Sequence, residues 1–470
     1  MDRLTSSAPQ SAAYLSPAAV LEAHFRIPPG LFDLGIRSPL SESPGLFRFG
    51  PGVTCHGRFF PSGPARATDA VPDLTKEVRS AHGGCLLPFD PNEAADNLRR
   101  EVYAIADQPA LAHNAWIRKL YYALRPVLPV SARRHAQRLA LRGFEQRSFP
   151  VWPVDRSVDC MLERVLALAL QSAGVDSVPF IWFWPENKHA CVLMTHDVET
   201  SRGLNSCDDL MALDQSFGIP ASFQLIPHGR YRVTQPALDR IRSRGFEVNL
   251  HDWNHDGSLF RNERLFRARA KGINAHADKW KAKGFRSGAL YRNPDWLQSL
   301  NVEYDMSIPA VAHLDPQSGG CCTIFPWFNG PLLEIPVTMT QDYSLFHILR
   351  QYSLDLWKRQ LEIALAGCGL ACFIVHPDYI RDRRSRDIYR ALLAYLDELR
   401  DSKNLWVTLP GEVNNWWRRR SRMKLERNGE RWEIAGPGSE QARVAFASLQ
   451  DGHLVYSFSP ILKPAVSQTA

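Results

Sequence analysis

Two short stretches hold most of the side chains in this sequence that could do chemistry together. The first is CVLMTHDVET, where an apolar run passes directly into His196, Asp197 and Glu199. Carboxylates at the end of a buried strand must reach water, pair with another group or bind an ion. The second is NLHDWNHDG, with His251 and His255 four residues apart and Asp252 and Asp256 beside them. Histidines at that spacing meet on one side of a helical turn and can aim both imidazoles at one ion. Alone, each stretch also reads as a polar turn or a surface pair. Together, two neutral imidazoles and one carboxylate form a ligand set for zinc or a similar divalent ion, with one coordination position left open. Such an ion polarises a carbonyl and acidifies bound water. Asp197 and Glu199 are two apart, so at an extended strand end they point the same way: one can ligate while the other takes a proton from water. The spacing leaves open which does which.

Three further residues fit hydrolytic chemistry. Arg286, in GFRSGALYR, could orient a carboxylate base and keep it ionised. His376, in ACFIVHPDY, follows the most apolar strand candidate of its region and could protonate a departing amine. Asp305, in NVEYDMS, is a candidate to orient His376.

The elements that must position these groups are legible around them. From about residue 184, the runs CVLM, PASFQLIP, FEVNLHD, GFRSG, PLLEIPV and ACFIV alternate with amphipathic segments, which argues for an α/β unit such as a barrel. Each polar cluster follows a strand candidate, where the loops of parallel barrels carry chemistry. Residues 1–184 read as an accessory region: a loose tail to about residue 20, irregular or small-strand structure to about 90, and helical patterns over 92–125, 131–145 and 156–173. After residue 416, short alternating runs suggest a small β-rich appendage, with a hairpin near Asn428-Gly429.

The whole chain bounds these readings. At 470 residues it is long enough for two or three domains, and 45% hydrophobic with 22% charged residues is a globular composition. No apolar window is long enough to span a membrane, and the first twenty residues lack the apolar centre of a secretory signal. Nine scattered cysteines without a CxxC pair fit neither a structural zinc site nor a disulfide framework, so a reduced, cytoplasmic setting is expected. The net charge of +7 includes Arg134, Arg138 and Arg142 at i, i+4 spacing, and a run from Arg418 to Lys424 preceded by two tryptophans. Both could meet an acidic membrane surface; a solvated helix face and a Trp-anchored junction are the plainer readings. No recognition element for nucleic acid accompanies the charge.

Taken in order, THDVE, HDWNH, FRSG, YD and IVH resemble the NodB-type polysaccharide deacetylases, the carbohydrate esterase family 4 group, over about residues 185–415. The resemblance implies an irregular (β/α) barrel, a divalent metal held by one acid and two histidines, and hydrolysis of N-acetyl or O-acetyl groups on sugars. Its first motif usually reads TFDDG. Asp197 matches the base, Val198 stands where the second acid is usual, and Glu199 would serve as ligand with His251 and His255. Arg286 matches the arginine that contacts the base, although the usual proline is missing. Ile374, Val375 and His376 match the Leu-x-His motif of the general acid. The Asp-rich fourth motif is indistinct, and Asp305 matches it poorly. The expected protein is therefore a zinc-dependent deacetylase of a polysaccharide or its precursor. Without an export signal, a lipid-linked or nucleotide-linked precursor at the inner face of the membrane is the expected acceptor. The alternatives are a degraded barrel that binds glycan or protein, and a hydrolase of non-carbohydrate amides.

Overall fold

A computed structural model describes residues 16–61, 71–81, 83–106 and 130–459. At its centre is a curled parallel sheet whose strands we number β1 Ala190–Val198, β2 Ala221–Leu225, β3 Glu247–His251, β4 Gly284–Arg286, β5 Tyr304–Asp305, β6 Leu332–Glu334, β7 Leu370–Ile374 and β8 Leu405–Thr408. The order across the sheet is β6-β5-β4-β3-β2-β1-β7, with β8 pairing the first half of β1. Helices Cys207–Ser216, Gln235–Ser243, Glu263–Trp280, Asp355–Ala366 and Arg383–Ser402 cover the outside. The circuit is irregular. Two short turns, Gly288–Leu290 and Pro294–Leu297, stand between β4 and β5 in place of a full helix, and the antiparallel strand Trp327–Asn329 precedes β6. The segment after β6 closes the barrel onto β7: Met339 N donates to Cys372 O at 3.2 Å, and Thr338 Oγ1 bridges Leu370 O and Cys372 N, each at 2.8 Å. Every apolar run read as a strand from the sequence forms one.

Each residue of β1 is buried, as expected of a central parallel strand covered on both faces. The period-two alternation then sorts its side chains. Ala190, Val192, Met194 and Val198 pack into the helical layer, while Cys191 and Leu193 point inward. Those inward residues share one core with Phe180, Trp184 and Trp416, which come from the two flanking regions.

The flanks are thus not independent units. Strand Ser177–Ile181 of the N-terminal region pairs antiparallel with Val444–Gln450 near the C-terminus, and helix Ser157–Ala173 packs beside them. Helix Pro410–Arg420 pins this junction. Trp416 and Trp417 are buried, and the buried Arg420 guanidinium donates to Ile181 O, Trp182 O and His24 O. Apolar rings seal a charge that backbone carbonyls solvate, so this arginine run is a Trp-anchored junction. Strand structure starts at Lys424, and Lys424–Asn428 pairs with Arg431–Ala435 as the expected hairpin.

Some expectations shift. Helix Ala19–Phe25 begins inside the stretch read as a loose tail, while residues 1–15 lie outside the described ones. The helical pattern at 92–125 resolves into Pro91–Arg99 and Val102–Ala106, and 107–129 lie outside the described residues. All nine cysteines are free thiols, and eight are buried. Among the described residues, no helix is long and apolar enough to cross a membrane.

Candidate functional site

The site is assembled at the C-terminal ends of β1, β3, β4 and β7. β1 stays extended through Val198, so Thr195 and Asp197 point into the barrel and Glu199 follows on the same side, while Val198 turns into the helical layer. This geometry explains an acid two residues after Asp197 rather than one: an acid at 198 would face leucines and phenylalanines.

Histidines 251 and 255 converge by a route other than the expected helical turn. His251 is the last residue of β3, and the chain then reverses through left-handed conformations at Asp252 (φ 57°) and His255 (φ 53°). Asp252 holds the reversal by accepting from Trp253 N at 2.5 Å and Gly288 N at 3.1 Å. A side chain at Gly288 would press on Asp252 and come within 2.9 Å of His255 Cδ2, so the loop after β4 can lie against the histidines only with glycine there.

One potential ligand atom from each of Glu199, His251 and His255 lies within 4.8 Å of the others. His255 Nε2 is 3.0 Å from Glu199 Oε1, and His251 Nδ1 is 3.1 Å from the Arg286 carbonyl. Donation to that carbonyl fixes the tautomer and leaves the Nε2 lone pair of His251 directed at the cluster. Both Nε2 atoms are buried without a well-formed hydrogen bond. Buried polar atoms are seldom left so, and a shared cation fits these two imidazole nitrogens with the carboxylate that lies 3.0 Å from one of them. Glu199 Oε2 accepts from Tyr379 OH at 3.2 Å, which steadies the acid without consuming Oε1.

Asp197 stands next to this group. Its Oδ2 is 3.9 Å from His251 Nε2, and its Oδ1 accepts from Arg286 Nη1 at 2.8 Å. Arg286 is fully buried and aimed by Thr195 Oγ1 (2.7 Å) and Met306 O (2.9 Å). Burial alone would raise the Asp197 pKa, but Arg286 and then the neighbouring histidines bring it below the usual value, so the carboxylate is ionised at neutral pH.

His376 faces the cluster from the end of β7, with Nε2 3.7 Å from Glu199 Oε1. Its Nδ1 is 2.6 Å from Asp342 Oδ1, and its backbone N donates to Asp342 Oδ2 at 2.8 Å. Burial pushes its pKa down, yet Asp342, followed by Glu199 and Asp197, overrides this and raises it to about 10. The imidazole is therefore protonated at neutral pH, with Nε2–H directed at the site.

Asp305 is not the partner of His376. It sits on β5, accepts from Ser307 N (3.1 Å) and Ser307 Oγ (2.7 Å), and lies against Glu334. Burial raises both carboxyls, Glu334 further because of the Asp305 charge, so Glu334 keeps the proton of the pair. The correction is geometric: β5 ends too early, whereas Asp342, in QDY before the π-helical turn Ser344–Ile348, reaches His376 across the barrel closure. A lone acid in a loop carried no periodic signal. Tyr379 was likewise missed, although it lies in the quoted HPDY. Trp327, in FPWFNG, is buried beside Ile308 and Cys321 because strand alternation turns it inward and Phe328 outward. His196, on the outward side of β1, is a core residue between Val375 O and Asp214 Oδ2, each 3.0 Å away.

The residues of THDVE, HDWNH, FRSG and IVH thus stand at four strand ends around one mouth of an irregular parallel barrel. No family model matches the sequence, and no curated protein matches it. Solved structures similar to the chain include a Mycobacterium smegmatis protein assigned as a polysaccharide deacetylase (17% identity, TM-score 0.41, covering 51% of this chain and 93% of that one). Others are a peptidoglycan deacetylase from Bacillus subtilis (13%, TM-score 0.31, 49% and 93%) and an allantoinase (14%, TM-score 0.38, 50% and 92%).

Proposed function

We propose that this protein is a divalent-metal-dependent deacetylase that removes acetyl groups from N-acetylated, or O-acetylated, sugars of a polysaccharide or its precursor. One observation carries the reading: the Glu199–His251–His255 cluster, the Asp197–Arg286 pair and the His376–Asp342 pair face one another at a single barrel mouth.

Glu199, His251 and His255 would hold the ion, and two imidazole nitrogens with one carboxylate favour Zn²⁺. When bound, the ion would polarise the acetyl carbonyl and acidify water. The chain's own residues do the rest. Asp197, kept ionised by Arg286, accepts the proton of the attacking water. His376, already an imidazolium, donates a proton from Nε2 to the leaving nitrogen or oxygen, and Asp342 holds the ring and stabilises its charge. Tyr379 keeps Glu199 turned toward the histidines.

The test is acetate release from N-acetylated oligosaccharides by wild type and by Asp197→Asn and His376→Ala variants. Acetate from wild type, reduced at least a hundredfold in both variants, is the expected result. Ammonia from small amides without acetate would move the assignment to a non-carbohydrate amidase. Metal binding without any turnover would move it to a binding barrel.

A further inference from the structure

Helix Val130–Ala140 of the N-terminal region docks beside the active site, because Tyr343 OH, next to Asp342, donates to Gln137 Oε1 at 2.5 Å. Tyr343 in turn packs on Tyr379, with ring centroids 5.2 Å apart, and Tyr379 packs on His376 at 4.9 Å. Behind these rings, the helix, the turn after it and the end of Ser344–Ile348 enclose an open groove of about 560 Å³. That is the scale of a pocket that takes a small organic ligand.

The groove has two chemistries side by side. Arg138, Arg142 and Arg350 bring positive charge, while Leu139, Ile348 and Leu349 bring apolar surface. Among the described residues, no carboxylate lines it and none of the three guanidinium groups forms an ion pair. The charge continues toward the active site: Arg134, one turn before Arg138, is near enough to His347 to add to the depression of its pKa that burial begins. Leu139 is 56% exposed at the lip.

From this pattern we infer that the groove binds an anionic amphiphile, and that the acetylated sugar reaches the barrel mouth attached to a phosphate-bearing alkyl chain. Charge complementarity selects the anion, since three clustered guanidinium groups repel one another until an anion joins them. The leucine and isoleucine surface beside them selects a hydrocarbon chain, where a longer glycan would require hydrogen-bonding side chains and ring platforms. Concavity favours a single chain over a flat bilayer. Ile348, at the edge of the groove, is six residues beyond Asp342, so a sugar linked to a phosphate in the groove extends toward the reacting groups. This inference rests on the deacetylase reading only for what the amphiphile carries; binding is measured without turnover.

The experiment is calorimetric titration of the full chain with dodecyl phosphate below its micelle concentration, in parallel with inorganic phosphate, dodecyl maltoside and vesicles of anionic phospholipid. The expected result is saturable one-to-one binding of dodecyl phosphate, at least about tenfold tighter than either soluble control. It weakens about tenfold or more in the Arg138→Ala/Arg142→Ala/Arg350→Ala variant, because each lost charge-assisted hydrogen bond is worth more than that factor. Leu139→Asp, at an exposed position, weakens it too. Dodecyl phosphate bound no better than dodecyl maltoside, or equally by the arginine variant, overturns the inference. So does binding confined to vesicles, which would make the surface a bilayer contact. Dodecyl phosphate binding as expected, in a protein that releases no acetate from N-acetylated sugars either free or joined to an alkyl phosphate, leaves the anion-and-alkyl groove standing and rejects the deacetylase reading.

Discussion

Replacing Asp342 by Asn keeps the size of the side chain and removes the charge that holds His376 protonated. With its carboxylate neighbours, His376 is raised to about 10 despite burial, and Asp342 is the strongest of those neighbours. Losing that one charge lowers the His376 pKa by roughly two pH units, within the range set by a close opposite charge. Burial then favours the neutral ring, and from about 10 that shift makes the general acid lose its proton from about pH 8 upward. A positioned general acid contributes about 10²–10⁴-fold, so Asp342→Asn loses rate chiefly above about pH 8, where the ring is neutral, and the alkaline limb of the pH–rate profile moves to lower pH by roughly two units. The assay is acetate release against pH for wild type, Asp342→Asn, His376→Ala and the double variant, with melting curves to confirm folding. Because Asp342 acts through His376, the double variant is no slower than His376→Ala alone. Multiplicative losses, or an Asp342→Asn enzyme with an unmoved alkaline limb, refute the coupling.

Two further predictions follow from the same geometry. Gly288→Ala forces a methyl group against Asp252 and His255, so the folded variant binds zinc at least about tenfold more weakly in a chelator competition, as expected when a group that orients ligands is disturbed. His313, buried with Nε2 2.7 Å from Pro150 O, has its pKa lowered to about 4, chiefly by burial. The unfolded chain therefore binds the extra proton between about 6.5 and 4. The contribution of this residue is present above about pH 6.5 and is lost as pH falls through that window, up to on the order of 2 kcal/mol. Melting temperatures from pH 7 to 5 should fall less steeply for His313→Gln than for wild type.

The sequence was most readable where a periodic signal coincided with chemistry. β1 is apolar and strictly alternating, so Asp197 and Glu199 could be assigned to one face before any fold was known. Arg286 and His376 were legible for the same reason, each closing a short apolar run. What escaped depends on contacts distant in sequence. Asp342 reaches His376 only because the stretch after β6 folds back onto β7, and the flanks merge only because Ser177–Ile181 finds Val444–Gln450 more than 260 residues later. The left-handed reversal at Asp252 was hidden because no glycine or proline marks it; a carboxylate bonding to Gly288 N holds it instead. Trp327 and Phe328, one buried and one exposed, look alike until the strand register is known.

Metal content bears most directly on the central claim that Glu199, His251 and His255 form one cation site. Purified wild type, stripped with chelator and reloaded with zinc, should retain close to one ion per chain by elemental analysis after desalting. Glu199→Ala, with a melting curve showing the fold intact, should retain almost none. An equal zinc content in the two proteins, or no retained ion in wild type, would contradict the account.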